Sequence, residues 1–260
     1  MKVVILCGGK GTRMREETEA RPKPMVEVGG RPVLWHIMQR YAAYGHKDFV
    51  LPLGYKAEVI KQYFHDYRIR NADFTVDLAS GDLTAHETCR TDWRVTLCDT
   101  GEDTLKGARI KRVAKYIDTD RFMVTYGDGL ADINLDALVK FHEQSGKIGV
   151  FTGVRMPSRF GTVKTDEQGN ILSWEEKPVL DEYINCGFFV FKREFLDYLS
   201  EDESCDLEKE PLERLAKEHQ LAMYPHPGFW QCMDTLRDYL HLNSMWDSGK
   251  RPWVAPEEGC

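Results

Sequence analysis

The sequence predicts an α/β fold, with a mixed, mainly parallel sheet flanked by helices and a small β-rich portion. Short apolar runs alternate with segments of helical periodicity through residues 1–155, a pattern typical of a parallel sheet covered on both faces. Two of the apolar runs end directly at Gly-rich turns. Beyond residue 155, strand-like runs follow one another with little helix between them, which predicts the β-rich portion.

These periodicities predict the elements in chain order. Apolar or alternating runs predict strands at residues 3–6, 48–51, 74–78, 94–97, 122–126 and 148–154. Apolar residues at helical spacing predict helices at 32–38, 56–67, 104–116 and 135–145, and Pro32 suits the first position of its helix. Further strands are predicted at 162–164, 171–174 and 184–191, then a charged stretch at 200–210 that is typical of a solvated loop, and a last helix at 235–246.

Composition and charge exclude several classes of protein. The 260 residues carry a formal net charge of −7, whereas a nucleic-acid-binding protein is expected to present a basic face. No apolar run approaches the roughly 20 residues that a membrane span requires. Seven scattered cysteines without a C-x-x-C pair favour free thiols in a reducing compartment: Cys7, Cys89, Cys98, Cys186, Cys205, Cys232 and Cys260. We therefore expect a cytoplasmic protein with neither nucleic acid nor a membrane as partner.

The N-terminal loop predicts a phosphate-binding site. The strand at 3–6 runs into Cys7-Gly8-Gly9-Lys10-Gly11-Thr12-Arg13, and glycines let backbone N–H groups approach an anion closely. Arg13 adds a forked cation that suits phosphate oxygens, and a second cation follows in Pro22-Lys23-Pro24. A Gly-rich surface turn is the structural alternative, and the combination with Arg13 and Lys23 disfavours it.

Two common phosphate-binding loops are excluded at specific positions. A dinucleotide fingerprint that starts at Gly9 needs glycine where the chain has Met14. A Walker A loop needs Ser or Thr after its lysine, and here Lys10 is followed by Gly11. An oxidoreductase that uses a dinucleotide is therefore disfavoured.

Two aspartates are candidate ligands of Mg²⁺, a cation that prefers oxygen ligands and substrate phosphates. Asp128 follows a predicted strand within Tyr126-Gly127-Asp128-Gly129, where a plain turn explains it equally well. Asp234 precedes the last predicted helix, where it would also serve as an N-cap. The sequence leaves open whether the two carboxylates meet.

The second half of the chain carries candidate residues for a phosphorylated acceptor. Lys177 lies in Glu176-Lys177-Pro178, where it would place an acceptor phosphate, although an ordinary charged turn before proline explains the same residues. Asn185 and Gly187 interrupt an apolar strand, which often marks close approach to a ligand. His36 lies in an apolar helix and is expected in the core.

Taken together, these segments resemble the sugar-1-phosphate nucleotidyltransferases, and more narrowly their glucose-1-phosphate cytidylyltransferase branch. The broad resemblance rests on the loop from Gly8 to Arg13, on Pro22-Lys23-Pro24, on Glu176-Lys177-Pro178, and on Asp128 and Asp234. The narrower one rests on strings that extend almost from end to end: Glu16-Glu17-Thr18, Pro24-Met25-Val26-Glu27, Leu34-Trp35-His36-Ile37-Met38, Tyr126-Gly127-Asp128-Gly129, Gly228-Phe229-Trp230-Gln231 and Met233-Asp234-Thr235-Leu236-Arg237-Asp238.

The resemblance implies a Rossmann-like nucleotidyltransferase fold in a single domain, residues 1–260. Residues 1–155 would bind the nucleotide, and residues 156–260 would form the sugar-phosphate-binding and C-terminal part. The implied reaction is Mg²⁺-dependent attack of α-D-glucose 1-phosphate on the α-phosphorus of CTP, giving CDP-glucose and pyrophosphate. The implied catalytic residues are Arg13, Lys23, Asp128, Asp234 and Lys177, with Asp128 and Asp234 holding the metal.

The resemblance also divides the binding residues between the two substrates. Implied nucleotide contacts are Leu6, Cys7, Gly8, Gly9, Lys10, Gly11, Thr12, Arg13, Lys23, Thr100, Gly101, Thr104, Arg109, Gly127 and Asp128. Implied sugar-phosphate contacts are Tyr126, Asp132, Glu176, Lys177, Asn185, Gly187 and Trp230. Arg109 is expected to donate to the base or to the phosphates, the alternative being one solvated cation among several.

The chain departs from the usual family residues near the expected pocket. It has Cys7 in place of Ala, Cys186 and Ala108 in place of Gly, and Cys232 in place of Pro. Alternatives therefore remain: a different phosphorylated acceptor, a thymidylyl- or uridylyltransferase for a sugar 1-phosphate, or a non-catalytic nucleotide-sensing subunit. Trp253, after the last predicted helix, is expected to be exposed for a packing or subunit contact, and a homo-oligomer is predicted.

Overall fold

The structure, a computed structural model, describes residues 1–86, 91–158 and 160–255, without the side chains of Arg15 and Glu16. Cys89, Cys260 and the side chain of Glu16 lie outside the described part. The strands are β1 (Lys2–Leu6), β2 (Glu27–Val28), β3 (Arg31–Pro32), β4 (Asp48–Leu53), β5 (Phe74–Val76), β6 (Leu83–Ala85), β7 (Arg94–Asp99), β8 (Arg121–Tyr126), β9 (Gly129–Ala131), β10 (Gly149–Pro157), β11 (Thr162–Thr165), β12 (Ile171–Glu175), β13 (Val179–Lys192), β14 (Leu221–Pro225) and β15 (Trp230–Cys232).

The helices lie between these strands. They are α1 (Arg15–Thr18), α2 (Val33–Ala42), α3 (Ala57–His65), α4 (Tyr67–Arg70), α5 (Lys106–Arg112), α6 (Leu135–Ser145), α7 (Glu210–Lys217) and α8 (Leu236–Asp247). Short 3₁₀ helices occupy Thr12–Met14, Lys23–Met25, Ala114–Tyr116 and Arg193–Tyr198. Across the described ranges, no helix has the length and apolar character needed to cross a membrane.

Seven strands form the central sheet in the order β14-β10-β13-β8-β1-β4-β7. β13 runs antiparallel to both of its neighbours, and every other neighbouring pair is parallel. The predicted mixed, mainly parallel sheet with flanking helices is confirmed. The strand order reverses between β1 and β8, because β4 and β7 lie on one side of β1 and all later strands of the sheet lie on the other. Such a reversal leaves a crevice at the carboxyl ends of the strands, where ligands of α/β proteins bind.

Each face of the sheet has its own hydrophobic core, and β1 contributes to both. Because side chains alternate along a strand, Val3 and Ile5 lie in one core and Val4 and Leu6 in the other. The first core is covered by α2, α3, α6 and α8, and the second by α5, α7 and the 3₁₀ helix at Arg193–Tyr198. A strand buried on both faces reads as the continuous apolar run that the sequence shows.

A β-rich extension, residues 155–158 and 160–184, continues from the end of β10 to the beginning of β13; we call it the distal arm. The end of β10 pairs with the beginning of β13, as in Arg155↔Tyr183, and β11 pairs with β12 as a separate hairpin. Ile171, Leu172 and Trp174 of this hairpin are 62–67% exposed. The predicted β-rich portion is thus present. β13 and β14 lie after residue 155 and yet belong to the central sheet. The division of the domain at residue 155 therefore stays a proposal.

Two predicted helices are shorter than their periodicity suggested. The helix predicted at 56–67 ends at His65, because Asp66 adopts a non-helical conformation before α4 begins. The helix predicted at 104–116 begins only at Lys106, since Leu105 is extended and its backbone N–H donates to Glu203 O. Short strands such as β9, β14 and β15 escaped prediction, because three to five residues carry too little periodicity.

Trp253 is 1% exposed, so the prediction that it is an exposed subunit contact is wrong. Its ring lies 5.6 Å from that of Phe229 and 6.3 Å from that of His36, between ring centroids. The segment after α8 folds back and buries the indole in the chain's own core. His36 is buried there as predicted, and its Nε2 bonds Val28 O at 2.9 Å.

Candidate active site

A cleft of about 520 Å³ opens at the carboxyl ends of β1 and β8, the point where the strand order reverses. These strands are paired in parallel with Leu6 opposite Tyr126, so the two Gly-rich loops that follow them emerge side by side. The cleft is lined by Leu6, Gly8, Gly9, Gly11, Thr12, Arg13, Lys23, Pro24, Thr104, Leu105, Lys106, Arg109, Tyr126, Gly127, Asp128, Asn185, Glu208, Trp230, Cys232 and Asp234.

Lys23 lies between the two predicted metal ligands. Its Nζ is 2.6 Å from Asp128 Oδ2 and 2.5 Å from Asp234 Oδ1. Arg13 Nη1 donates to the other oxygen of Asp234 at 2.9 Å, and the Arg13 side chain is 73% exposed. The structure therefore brings together four of the five residues predicted to be catalytic, in one alternating group of two cations and two anions.

Asp234 reaches Asp128 through a small sheet that the sequence did not predict. β15 pairs antiparallel with β9, with Cys232 opposite Gly129, and the backbone N–H of Met233 donates to Asp128 O at 2.9 Å. The two aspartates therefore lie on adjacent backbone segments, although they are far apart in the sequence.

Asp234 is not the N-cap of the last helix, so the prediction of that role is wrong. Thr235 caps α8, with its Oγ1 accepting from the backbone N–H of Asp238 and the Asp238 carboxylate accepting from the backbone N–H of Thr235. Because this reciprocal cap satisfies the helix, the carboxylate of Asp234 is left to the cleft.

Contacts within the cluster oppose the effect of burial on the pKa of two of its members, Lys23 and Asp234. Burial alone would lower the pKa of Lys23, but the charge of Asp128 and hydrogen bonds to both carboxylates raise it above its ordinary value. Burial alone would raise the pKa of Asp234, but its hydrogen bond to Lys23 and the charges of Lys23 and Arg13 lower it. The cluster is therefore a preformed ionic site.

Asp128, Asp234 and Cys232 form a possible metal site. One ligand atom of each lies within 4.8 Å of the others. The two carboxylates supply the oxygens that a hard divalent cation prefers. Burial and then the charge of Asp128 raise the pKa of the Cys232 thiol, so at neutral pH it is a protonated group beside the carboxylates. The oxygen donors fit Mg²⁺, and the thiol does not.

Arg109 lies beneath the Gly-rich loop and is only 4% exposed. Its guanidinium donates to five acceptors, four of them carbonyl oxygens: Leu53 O, Thr100 Oγ1, Gly101 O, Gly8 O and Glu102 O, at 2.7–3.0 Å. A Cβ on Gly8 would come within 2.1 Å of Arg109 Cζ, so residue 8 must be glycine for the guanidinium to reach the loop. Arg109 lines the cleft, and its predicted contact with the nucleotide stays a prediction.

Other residues predicted to contact the nucleotide take part in the same arrangement. Thr100 is buried and donates to Leu53 O, and Thr104 is buried and donates to Thr100 O. Gly101, with φ of +90°, presents its carbonyl to Arg109. Lys10, at the tip of the Gly-rich loop, pairs with Asp103 at 2.7 Å. Of these, only Thr104 lines the cleft.

The opposite side of the cleft is a polar network around Tyr126. The Tyr126 hydroxyl donates to Glu208 Oε1 at 2.5 Å and accepts from Asn185 Nδ2 at 3.0 Å. Lys106 Nζ pairs with Glu208 at 2.7 Å. Gly187 has φ of +86°, and a Cβ there would come within 2.3 Å of the Tyr126 ring, so this interruption of β13 allows the ring to pack against the strand.

Of two other residues predicted to contact the sugar phosphate, Trp230 lies in the cleft and Asp132 lies outside it. Trp230 lines the cleft, with its indole N–H donating to Cys186 O at 2.8 Å. Asp132 lies outside the lining, and its Oδ1 is 3.0 Å from His226 Nε2. Asp132 is thus engaged with the loop before β15.

Glu176 and Lys177 lie on the distal arm, and neither lines the cleft. Their side chains are 65% and 62% exposed, and they pair with each other at 3.8 Å. Lys177 adopts φ of +50°, which holds the turn between β12 and β13. The structure therefore does not bring Lys177 to the other four predicted catalytic residues.

Sequence reasoning missed Lys106 and Glu208 as parts of the site. Glu208 belongs to the charged stretch at 200–210, which was predicted to be solvated; instead it reaches the cleft beside Tyr126. The usable signal was local: Lys106 lies two residues after Thr104, which was already a candidate. The composition of the charged stretch at 200–210 does not indicate which of its side chains faces the cleft.

Comparison with known proteins finds relatives that extend along almost the whole chain. A family model described as "Nucleotidyl transferase" matches residues 2–248. A glucose-1-phosphate cytidylyltransferase from Salmonella typhi is 46% identical over 255 residues, which cover 97% of this chain and 98% of that protein. A UTP–glucose-1-phosphate uridylyltransferase from Synechocystis is 30% identical over 80% of this chain and 53% of its own length.

Solved structures share the fold. HddC from Yersinia pseudotuberculosis superposes with a TM-score of 0.67 at 22% identity, over 94% of this chain and 99% of that chain. A structure from Bacillus anthracis gives a TM-score of 0.70 at 17% identity, over 100% of this chain and 98% of that one. At these identities the likeness supports the architecture alone.

Proposed function

Because the chain belongs to the nucleotidyl transferase family, we propose that it transfers the cytidylyl group of CTP to α-D-glucose 1-phosphate and releases pyrophosphate. The observation that carries the chemistry is the group of Arg13, Lys23, Asp128 and Asp234 beside a Gly-rich loop. The choice of CTP and glucose 1-phosphate is supported by the full-length similarity to cytidylyltransferases at 46% identity.

The residues suit a transfer that needs positioning and charge neutralisation more than a proton-transfer group. The loop amides and the exposed guanidinium of Arg13 would hold the leaving pyrophosphate. Lys23, once its carboxylate partners engage a metal, would neutralise charge at the α-phosphate. An oxygen of the acceptor phosphate would attack the α-phosphorus in line, the bond to the pyrophosphate oxygen breaking as the new P–O bond forms.

We propose Mg²⁺ as the resident metal, held by the carboxylates of Asp128 and Asp234, because this pair supplies the hard oxygen donors that it prefers. When bound, it supplies Lewis-acid neutralisation of the phosphate oxygens. With both carboxylates committed to such an ion, the Lys23 ammonium that now contacts them would be available to the substrate.

The two sides of the cleft suit the two substrates. Thr104 and the loop held by Arg109 would accommodate the nucleoside, and Tyr126, Asn185 and Trp230 would contact the sugar. Lys177, on the distal arm, would place the sugar phosphate once the acceptor is bound, which requires its side chain to leave Glu176. The single-domain division and the roles of the remaining predicted residues are part of the same proposal.

We also propose a homo-oligomer, with the distal arm as the contact in place of Trp253. Ile171, Leu172 and Trp174 expose apolar surface that an isolated chain would keep in water. A cytoplasmic location is proposed on the sequence alone, from its scattered, odd-numbered cysteines.

Pyrophosphate release tests the proposed function directly. The purified protein is given Mg²⁺ and glucose 1-phosphate with CTP, UTP, dTTP or ATP in separate reactions, and the CTP reaction is repeated with mannose 1-phosphate. We expect fast release with CTP and glucose 1-phosphate only. Release with UTP or dTTP at an equal rate contradicts the choice of base. Release with CTP only when another acceptor is supplied contradicts the choice of sugar.

A further inference from the structure

We infer that Cys232 makes the cation site of the cleft a binding site for thiophilic divalent cations, so that Zn²⁺ or Cd²⁺ binds through Asp128, Asp234 and Cys232 and excludes Mg²⁺. The inference deepens the proposed function and rests on it, because it concerns regulation of the same site.

The backbone places the three donors on one side of the cleft. Cys232 pairs with Gly129 across the β9–β15 ladder, next to Asp128, and Asp234 follows two residues later. Residues i and i+2 of an extended segment point to the same face, so the sulfur and the Asp234 carboxylate face Asp128 together. Their ligand atoms lie within 4.8 Å of one another. Since metal–ligand distances of about 2.0–2.3 Å put two ligands of one ion up to about 4.5 Å apart, small movements suffice.

The donor set discriminates between cations by its chemistry. Mg²⁺ demands near-octahedral oxygen coordination and would leave the sulfur unused. Zn²⁺ and Cd²⁺ accept thiolate together with carboxylate, and two carboxylates plus one thiolate leave a fourth position for water or a phosphate oxygen. The thiol proton passes to solvent when such an ion binds. Oxygen ligands alone accept either kind of ion, whereas Cys232 adds an affinity that only the softer ions can use.

Lys23 already marks the cation position. Its ammonium lies 2.6 Å from Asp128 and 2.5 Å from Asp234, so an arriving ion must displace it. A cation site filled by an internal ammonium is weakened by that competition. Removal of the ammonium should strengthen binding of the metal, while removal of the sulfur should weaken it, and these opposite effects distinguish this site from surface thiols.

The experiment is a titration of the full-length protein with Cd²⁺ alone, followed by calorimetry and by the ultraviolet charge-transfer band of a sulfur–cadmium bond. We expect Cys232→Ser to lose the band of the tightest site and to bind Cd²⁺ roughly tenfold or more weakly. Lys23→Met should bind it more tightly. Cys205→Ser, a half-buried thiol outside the donor group, is the matched control and should leave affinity and band unchanged.

Unchanged affinity and band in Cys232→Ser, with circular dichroism equal to that of the wild type, would overturn the inference. If this variant does not fold, X-ray absorption at the cadmium edge of the wild-type complex decides instead: one sulfur with oxygen ligands supports the site, and an oxygen-only or multi-sulfur shell contradicts it. At fixed Mg²⁺ and CTP, Zn²⁺ should inhibit pyrophosphate release more in the wild type than in Cys232→Ser. If no nucleotide releases pyrophosphate, the proposed function fails, while the Cd²⁺ titration still decides this inference.

Discussion

The ionic group at the mouth of β1 and β8 and the Lys177 turn of the distal arm are built in opposite ways. Lys23 has 11% of its side chain exposed and contacts two carboxylates, whereas Lys177 has 62% exposed and pairs with the adjacent Glu176. The first set of charges rests on the central sheet, and the second extends into solvent at the turn between β12 and β13.

The difference shows when the charged side chains lose their conformational entropy: on folding in the first region, and on substrate binding in the second. Side chains that the fold already holds need no ordering when substrate binds, whereas an exposed lysine must give up rotamer freedom at that moment. Substitutions on the sheet side should therefore change stability, catalysis or both, whereas substitution of Lys177 should change only steps that involve the acceptor.

The largest expected effect is that of Asp128→Asn on catalysis. The amide keeps the shape but removes one of the two charges that hold Lys23 and the proposed metal, so kcat for pyrophosphate release should fall roughly 10³-fold, as for the loss of a major electrostatic contact. Asp103→Asn, which removes a surface carboxylate paired with Lys10, is the control and should retain activity near the wild-type level. If kcat fell by a similar factor in both variants, Asp128 would have no specific role in the reaction.

Arg109→Met should chiefly affect stability. The substitution leaves five acceptors without the guanidinium that now joins the loops after β1, β4 and β7, and the free energy of unfolding should fall by about 3 kcal/mol or more. Urea unfolding measures it, with the exposed Arg68→Met expected within about 0.5 kcal/mol of the wild type. If the folded variant binds CTP as tightly as the wild type, the predicted nucleotide contact of Arg109 is wrong.

Lys177→Ala should lower kcat/KM for glucose 1-phosphate roughly 10²-fold, a smaller effect than that of Asp128→Asn because a single exposed charge is lost. The urea midpoint should not move, since this side chain is mostly in solvent. Lys164→Ala, on the same arm, serves as the control in acceptor titrations at saturating CTP. If Lys177→Ala lowered stability and left kcat/KM for the acceptor unchanged, the proposed difference between the arm and the sheet would be wrong.

The smallest expected effect is on the acid sensitivity of the core around His36. Burial, with smaller contributions from Arg31 and Arg251, lowers the pKa of His36 to about 4, although its hydrogen bond to Val28 O opposes this. Below the ordinary histidine pKa, near 6.5, the unfolded chain binds a proton that the folded chain does not, so stability falls as the pH falls from 6.5 towards 4.

Between pH 7.5 and pH 5, the free energy of unfolding should fall by about 2 kcal/mol less in His36→Gln than in the wild type, as measured by urea unfolding. His241→Gln, at an exposed position on α8, is the control and should keep the full acid sensitivity. Equal pH dependence in His36→Gln and the wild type would mean that other groups account for it.

Much of the architecture could be predicted because it is written in local patterns. The apolar run at residues 3–6 reads as a strand buried on both faces, and the glycines after it mark where its backbone must come close to another group. Residue chemistry also predicted what such a place binds, since Arg13, Lys23 and the two aspartates are the side chains that phosphate and a hard cation require.

The sequence by itself therefore determined the alternation of strands and helices and the position of the Gly-rich loop, and it predicted the chemical class of the ligands. Only the tertiary structure decided that β8 lies beside β1, that β15 carries Asp234 to Asp128, that Arg109 turns inward and that Trp253 is buried. The physical reason is that periodicity reports which face of a segment is buried. It does not report the partner that buries it, because that contact joins residues more than a hundred positions apart.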